Sequence, residues 1–341
     1  MEFSKKAANV IFHLTKEKLA WKKCFKDDSC EEPTIGSHSV QENRFLNRIA
    51  EDGHVLYLQQ KIEKDKASYK FHKQGIGSAT TFPGFCGTHD TNVFIPIERK
   101  DYEIGDKEQE FLFAYRAFAF EYQAKKSYYQ TIRHYYDLFD NKDIETLKRY
   151  HPLIPFDEIN MEEVKEKLLE RLNANEKPLK NVENIRKFLN EKLDNKCFSE
   201  ITTHSFVFPE EYKLVVSNVF YLYADNLGKE INGANEDIIS TLTVLPQENE
   251  TIVLFSYPTQ FDVKFRDFMK YIDQSDLEER KKIFSMLIAV YTENIALNPK
   301  LWDSMEEEQK KMFYIIYEGT VKDKITPFIA LDLNLFTEIK S

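Results

Sequence analysis

The chain has 341 residues, 42% apolar and 14% aromatic, with 27 Phe and 18 Tyr; that composition excludes a chain that stays disordered and allows one large domain or two ordinary ones. Lys and Arg number 47 against 57 Asp and Glu, a formal net charge of −10, which opposes general adhesion to nucleic acid or anionic lipid. No window reaches the run of about eighteen uncharged apolar residues a membrane helix needs, and Met1 to Asn9 carries charges with no apolar run behind it, so the expectation is a cytoplasmic protein without membrane association.

In chain order, the first feature is basic: Met1 to Lys26 sets seven Lys against Glu2 and Glu17. Val10, Ile11, Leu14 and Leu19 stand between the lysines at near-helical spacing, which favours the solvated face of an amphipathic helix over a phosphate-binding patch. Val40 to Ala50 reads as a short helix with Val40, Phe45, Leu46 and Ile49 on one side, stopped by Gly53 and followed by the strand His54 to Leu58. Five of the 10 glycines lie between positions 53 and 87, which makes that interval the loop-rich part of the molecule and the place to look for chemistry.

From Asp106 to Asp140 two apolar stripes run along one helix, the first through Phe111, Tyr115, Phe118 and Tyr122 and the second through Phe113, Ala117 and Phe120. A helix apolar around so much of its circumference is central to a core or an interface, and its aromatics pack rather than stack on bases. After Pro152 and Pro155, Ile159 to Asp194 reads as two charged helical pieces divided near Asn173 to Pro178, an exposed hairpin suited to homo-oligomer or protein-partner contact. Strand patterns then occupy Cys197 to Phe208, Tyr212 to Tyr223, Ile238 to Leu245 and Thr251 to Phe255. Helices close the chain at Gln260 to Asp273, Asp276 to Ala296 and Trp302 to Tyr317. The expected architecture is α+β in three parts: a metal-stapled, treble-clef-like module over 1–105, a helical region over 106–195 with the charged hairpin, and an antiparallel sheet with helices over 196–341.

Three of the four cysteines fall within the first 86 residues, near two histidines. Zinc takes four sulfur or imidazole donors in a tetrahedron, and two short pairs on separate loops can supply them. Cys24 and Cys30, six residues apart, make one pair; Cys86 and His89, on a turn flanked by Gly84 and Gly87, make the other. Four protein donors leave no open position, so the expected Zn2+ is structural. His38 is a fifth candidate, as a replacement ligand or as a base above the site. Asp90 and Glu98 could bind Mg2+ or Mn2+ through oxygen, although an acidic residue after a turn more often caps it or pairs with Arg99 or Lys100. Cys197, at the start of a strand pattern, reads as a packed thiol.

His38-Ser39-Val40, Ile49 through Val55, Ala79 through Asp90 with its Phe85-Cys86-x-x-His89-Asp90 core, and Asn298 through Trp302 resemble a set of uncharacterised bacterial proteins. The resemblance covers the first 120 residues well and the remainder thinly; it implies a bacterial source and little about function, and the expectation set beside it is an interaction or sensor role, with phage defence or stress response as the context. A weaker similarity is to HNH endonucleases with a zinc knuckle. It implies phosphodiester hydrolysis on nucleic acid with His38 as base and His89 or Asp90 at a second, divalent metal. Ser37-His38 departs there from the usual acidic-His pair, and the middle Asn has no counterpart.

Overall fold

Runs of β-branched and aromatic residues separated by turn residues build the centre of the molecule. The strands are β1 (Ser37–His38), β2 (His54–Glu63), β3 (Lys66–Gly75), β4 (Thr81–Phe82), β5 (Ile201–Phe208), β6 (Leu214–Phe220), β7 (Ser240–Gln247), β8 (Glu250–Pro258) and β9 (Ile295–Leu297). A seven-stranded antiparallel sheet runs β3-β2-β9-β6-β7-β8-β5, and β1 with β4 forms a separate two-stranded ladder. These features come from a computed structural model that describes residues 19–63, 66–152, 154–233, 237–322 and 332–339. The lysine-rich amphipathic helix expected near the N-terminus falls mainly on residues 1–18, outside the described residues.

The helices of six or more residues are α1 (Gly87–Glu98), α2 (Lys107–Asp140), α3 (Ile144–Tyr150), α4 (Met161–Asp194), α5 (Asp262–Gln274), α6 (Leu277–Tyr291), α7 (Pro299–Ser304) and α8 (Glu307–Lys322). Helices cover both faces of the sheet. On β6, Leu214, Val216 and Phe220 join the core shared with α5, α6 and α8, while Val215 and Val219 join the core shared with α2. A strand buried on both faces loses the apolar-polar alternation, which is why this stretch reads as a nearly continuous apolar run. The fold is α+β, with five of the seven sheet strands, β5 to β9, and the helices packed on them in the C-terminal half, and the Cys/His group near the N-terminus.

Helix α2 is the spine. Every residue from Gln109 to Ala119 is buried, because the sheet lies on one side and α1 and α4 on others; the two apolar stripes of the sequence are the two packed faces. Helix α4 runs antiparallel beside it: Tyr122 donates to Glu183 at 2.8 Å, and towards the other end Ile132 and Phe139 pack with Val164 and Leu168.

Two expectations are revised. The charged hairpin is one continuous helix, α4, that passes through Pro178. None of residues 173–181 is buried, so the apolar seam is interrupted there while the backbone is not, and the contacts of Leu172 on one side and Val182 on the other hold the proline-containing turn in line. Helix α6 stops at Tyr291, and Ile295–Leu297 becomes β9. That short strand joins the two parts of the sheet, since Leu297 pairs with Leu56 on one edge and Leu214 on the other. The hairpin β2-β3, from the N-terminal third of the chain, therefore shares a sheet with strands beyond residue 195.

Candidate metal centre

Cys24 and Cys30 bound a loop held by its own polar residues. Asp27 accepts from the backbone N–H and the hydroxyl of Ser29, both at 2.8 Å, and the N–H of Cys30 donates back to the Asp27 carbonyl at 3.3 Å. The Ser29 hydrogen bonds hold the Asp27 carboxyl below its ordinary value, so the turn is closed by a carboxylate at neutral pH.

The second pair comes from the start of α1. Cys86 is the N-cap, and the N–H of His89 donates to its Sγ across 3.3 Å. A sulfur in that position faces the positive end of the helix, which favours a thiolate. Gly84 is required just before it, because a Cβ there would run into the Phe82 ring. Its carbonyl accepts from Phe25 N–H at 2.6 Å and that of Phe85 from Ile35 N–H at 2.8 Å, which pins the first loop against the second.

These two pairs bring four donor atoms together. Cys24 Sγ lies 3.9 Å from Cys86 Sγ and 3.4 Å from His89 Nδ1; Cys86 Sγ lies 3.6 Å from Cys30 Sγ and 3.1 Å from His89 Nδ1. All four atoms are within 4.8 Å of one another. A tetrahedron with bonds of about 2.3 Å to sulfur and about 2.0 Å to nitrogen sets separations of about 3.8 Å between sulfurs and about 3.5 Å from sulfur to nitrogen. The observed spacings match that shell, and all the sulfurs are free thiols. A Cys3His group is thus present at metal-binding distance, with a donor set compatible with zinc. Burial pushes the Cys86 thiol up, with the His89 N–H opposing it, so a bound cation is what would keep this crowded group deprotonated.

The centre is anchored to the two long helices. Phe25, fully buried, makes edge contacts with Phe85, Tyr115, Phe118 and Tyr122 at centroid distances of 5.2 to 6.0 Å. From α4, Arg186 donates to the carbonyls of Phe25 and Cys24 at 2.7 and 3.4 Å and pairs with Asp28 at 2.7 Å, Asn190 donates to Phe25 O at 3.0 Å, and Asp194 pairs with Lys26 at 2.7 Å. These three helix residues are spaced four apart, on one face. Sequence reasoning missed them, because polar residues at that spacing on a charged helix look like a solvated surface; the spacing was the only signal.

His38 and Asp90 are placed differently. His38, on β1, has its side chain 18% exposed, with Nδ1 3.3 Å from the Thr80 hydroxyl and Nε2 3.3 Å from Glu42. Burial holds its imidazole below the ordinary value, with Glu42 opposing. Asp90 sits in the first turn of α1, its N–H on the Cys86 carbonyl at 2.9 Å. Neither belongs to a cluster of three or more metal donors; among the described residues, the Cys24, Cys30, Cys86 and His89 group is the one such cluster. Glu98 pairs with Arg116 of α2 rather than with Arg99 or Lys100. Cys197 is half-buried ahead of a short helical turn, its thiol 3.6 Å from the Asn195 carbonyl. No helix among the described residues is long and apolar enough to cross a membrane. Comparison with protein-family models, with curated proteins and with solved structures finds no match to this chain.

Proposed function

We propose that this is a zinc-binding protein of the interaction or sensor class, in which Cys24, Cys30, Cys86 and His89 hold one structural zinc ion. The observation that carries the reading is the set of donor separations, which fit a tetrahedral shell from four side chains on two loops. Four protein donors close the shell, so the ion would fasten the loop at 24–30 to the start of α1 rather than activate water. Binding energy at such a site is folding energy, and it offsets the ordering of a segment with little regular structure of its own.

The alternative, a metal-dependent nuclease with His38 as base, has weaker support. Both imidazole nitrogens already face partners, Thr80 and Glu42, and a second metal would need donors brought to Asp90 from elsewhere.

Elemental mass spectrometry on the protein purified under reducing conditions without chelators tests the reading. One equivalent of zinc per chain is expected, with loss of metal and of solubility in the Cys86→Ser, His89→Ala double variant. A metal-free wild type, or equal zinc in both proteins, would overturn it.

A further inference from the structure

We propose that Cys30 is a site of oxidative modification, at which a hydroperoxide drives formation of a Cys30–Cys86 disulfide and expels the zinc. The inference rests on the zinc reading above and gives the sensor class a specific chemical input.

The three cysteines of the centre are not equivalent. Cys24 and Cys86 are 1% and 0% exposed, whereas Cys30 lies at the outer end of its loop and is only partly buried. Three thiolates and a neutral imidazole around a divalent cation leave the group with a net negative charge. The sulfurs therefore keep much of their electron density, and the one that solvent reaches is the one an oxidant can meet. Cys86 also accepts the His89 N–H, a hydrogen bond that draws density from its sulfur.

The partner sulfur is already in place. Cys30 Sγ stands 3.6 Å from Cys86 Sγ, closer than the 3.9 Å between Cys24 and Cys86. A disulfide needs about 2.05 Å, so the sulfurs must close by roughly 1.6 Å, within reach of a side-chain rotation and a small loop shift. The chemistry balances in two displacements. The Cys30 thiolate attacks one oxygen of hydrogen peroxide, breaking the O–O bond and releasing hydroxide, to give the sulfenic acid. The Cys86 thiolate then attacks that sulfur, forming the S–S bond and releasing a second hydroxide. Two protons from solvent convert the hydroxides to water, both sulfurs are oxidised, and peroxide is reduced.

Cys24 and His89 then remain as the only donors, too few to hold zinc. The loop itself stays fastened, because the new Cys30–Cys86 bond takes over the zinc's link to the start of α1 while Arg186 and Asn190 grip the carbonyls of Cys24 and Phe25 rather than the thiols. The change is thus local and is reversed by a dithiol reductant with zinc.

The experiment treats zinc-loaded full-length protein with excess hydrogen peroxide. Released zinc is followed with a chromogenic chelator, and disulfides are mapped by mass spectrometry of unreduced peptides. The expected result is loss of the single zinc equivalent in step with a Cys30–Cys86 disulfide, unchanged in Cys197→Ser and restored by dithiothreitol with zinc. A Cys30→His variant, which keeps a donor at that position, should retain its zinc under the same peroxide. Retention of zinc by the wild type with Cys30 still reduced would overturn the proposal, as would release accompanied by a Cys24–Cys86 bridge or by Cys197 crosslinks. A protein that holds no zinc before peroxide is added would instead remove the metal reading on which the proposal stands, and the proposal with it.

Discussion

Arg186, near the end of α4, donates through Nε to the carbonyl of Phe25 at 2.7 Å, so a side chain more than 150 positions away orients the loop that carries two of the four donors. The same guanidinium lies over the Phe25 and Tyr122 rings at 5.6 and 5.4 Å and reaches Asp28 at 2.7 Å. A planar group with several donors can meet two carbonyls, a carboxylate and two ring faces together; an ammonium cannot.

Replacing Arg186 with Met should therefore cost about 2 to 3 kcal/mol of folding free energy, the range for buried hydrogen bonds to a charged group, and should weaken zinc retention. Arg186→Lys should recover little. Urea unfolding and competition with a zinc chelator read the two effects separately, and wild-type behaviour of both variants would contradict this role.

Phe25→Ala removes the ring at the meeting point of the metal loop and α2. The side chain is fully buried among aromatic neighbours, so the expected loss is about 3 to 5 kcal/mol. Phe25→Leu should lose clearly less, and denaturant midpoints for the pair decide the matter.

Asn294 ties the N-terminal segment to the sheet. Its Nδ2 donates to Ser39 Oγ and to the Ser217 carbonyl, both at 2.7 Å, and its Oδ1 accepts from the Tyr57 hydroxyl at 3.0 Å. In Asn294→Leu those groups lose their partner in a buried setting, and a loss of about 2 to 4 kcal/mol is expected from the orphaned polar atoms. Hydrogen exchange should show the destabilisation at β2, β6 and β9 together.

Acid should destabilise the fold through His204. Burial holds its imidazole below the ordinary value, with Asp273 and Asp262 opposing, and its Nε2 lies 3.0 Å from the Tyr257 hydroxyl. Because the folded state resists the proton, the unfolded chain binds more protons as pH falls below the usual histidine pKa of about 6.5. The contribution of this group is then fully present above that pH and is lost as pH falls through the lower folded value. Urea unfolding at pH 7.5 and 5.5 should show a smaller pH dependence in His204→Gln than in the wild type.

The four members of the Cys3His group were legible in the sequence because their spacing is local: Cys86 and His89 share one helical turn, and the Cys24 to Cys30 loop is short. Helix α2 and strands β5 to β8 were legible from periodicity, since burial on opposite faces of one element leaves its mark on consecutive residues. Strand β3 was not, because Lys66–Gly75 is an edge strand of mixed polarity that pairs, among the described residues, only with β2, the other arm of its own hairpin. Strand β9 has only three residues, and Ile295-Ala296-Leu297 continues the apolar pattern of α6 without a glycine or proline to mark the change. The continuity of α4 through Pro178 depends on α2 packing along it, and the grip of Arg186, Asn190 and Asp194 on the loop depends on a contact between segments distant in the chain.

Zinc K-edge X-ray absorption on the purified protein tests the central claim most directly. Three sulfur scatterers at about 2.3 Å and one nitrogen at about 2.0 Å are predicted, with the sulfur count falling in Cys86→Ser and unchanged in Cys197→Ser. A shell dominated by oxygen and nitrogen, or a sulfur count that does not respond to Cys86→Ser, would contradict it.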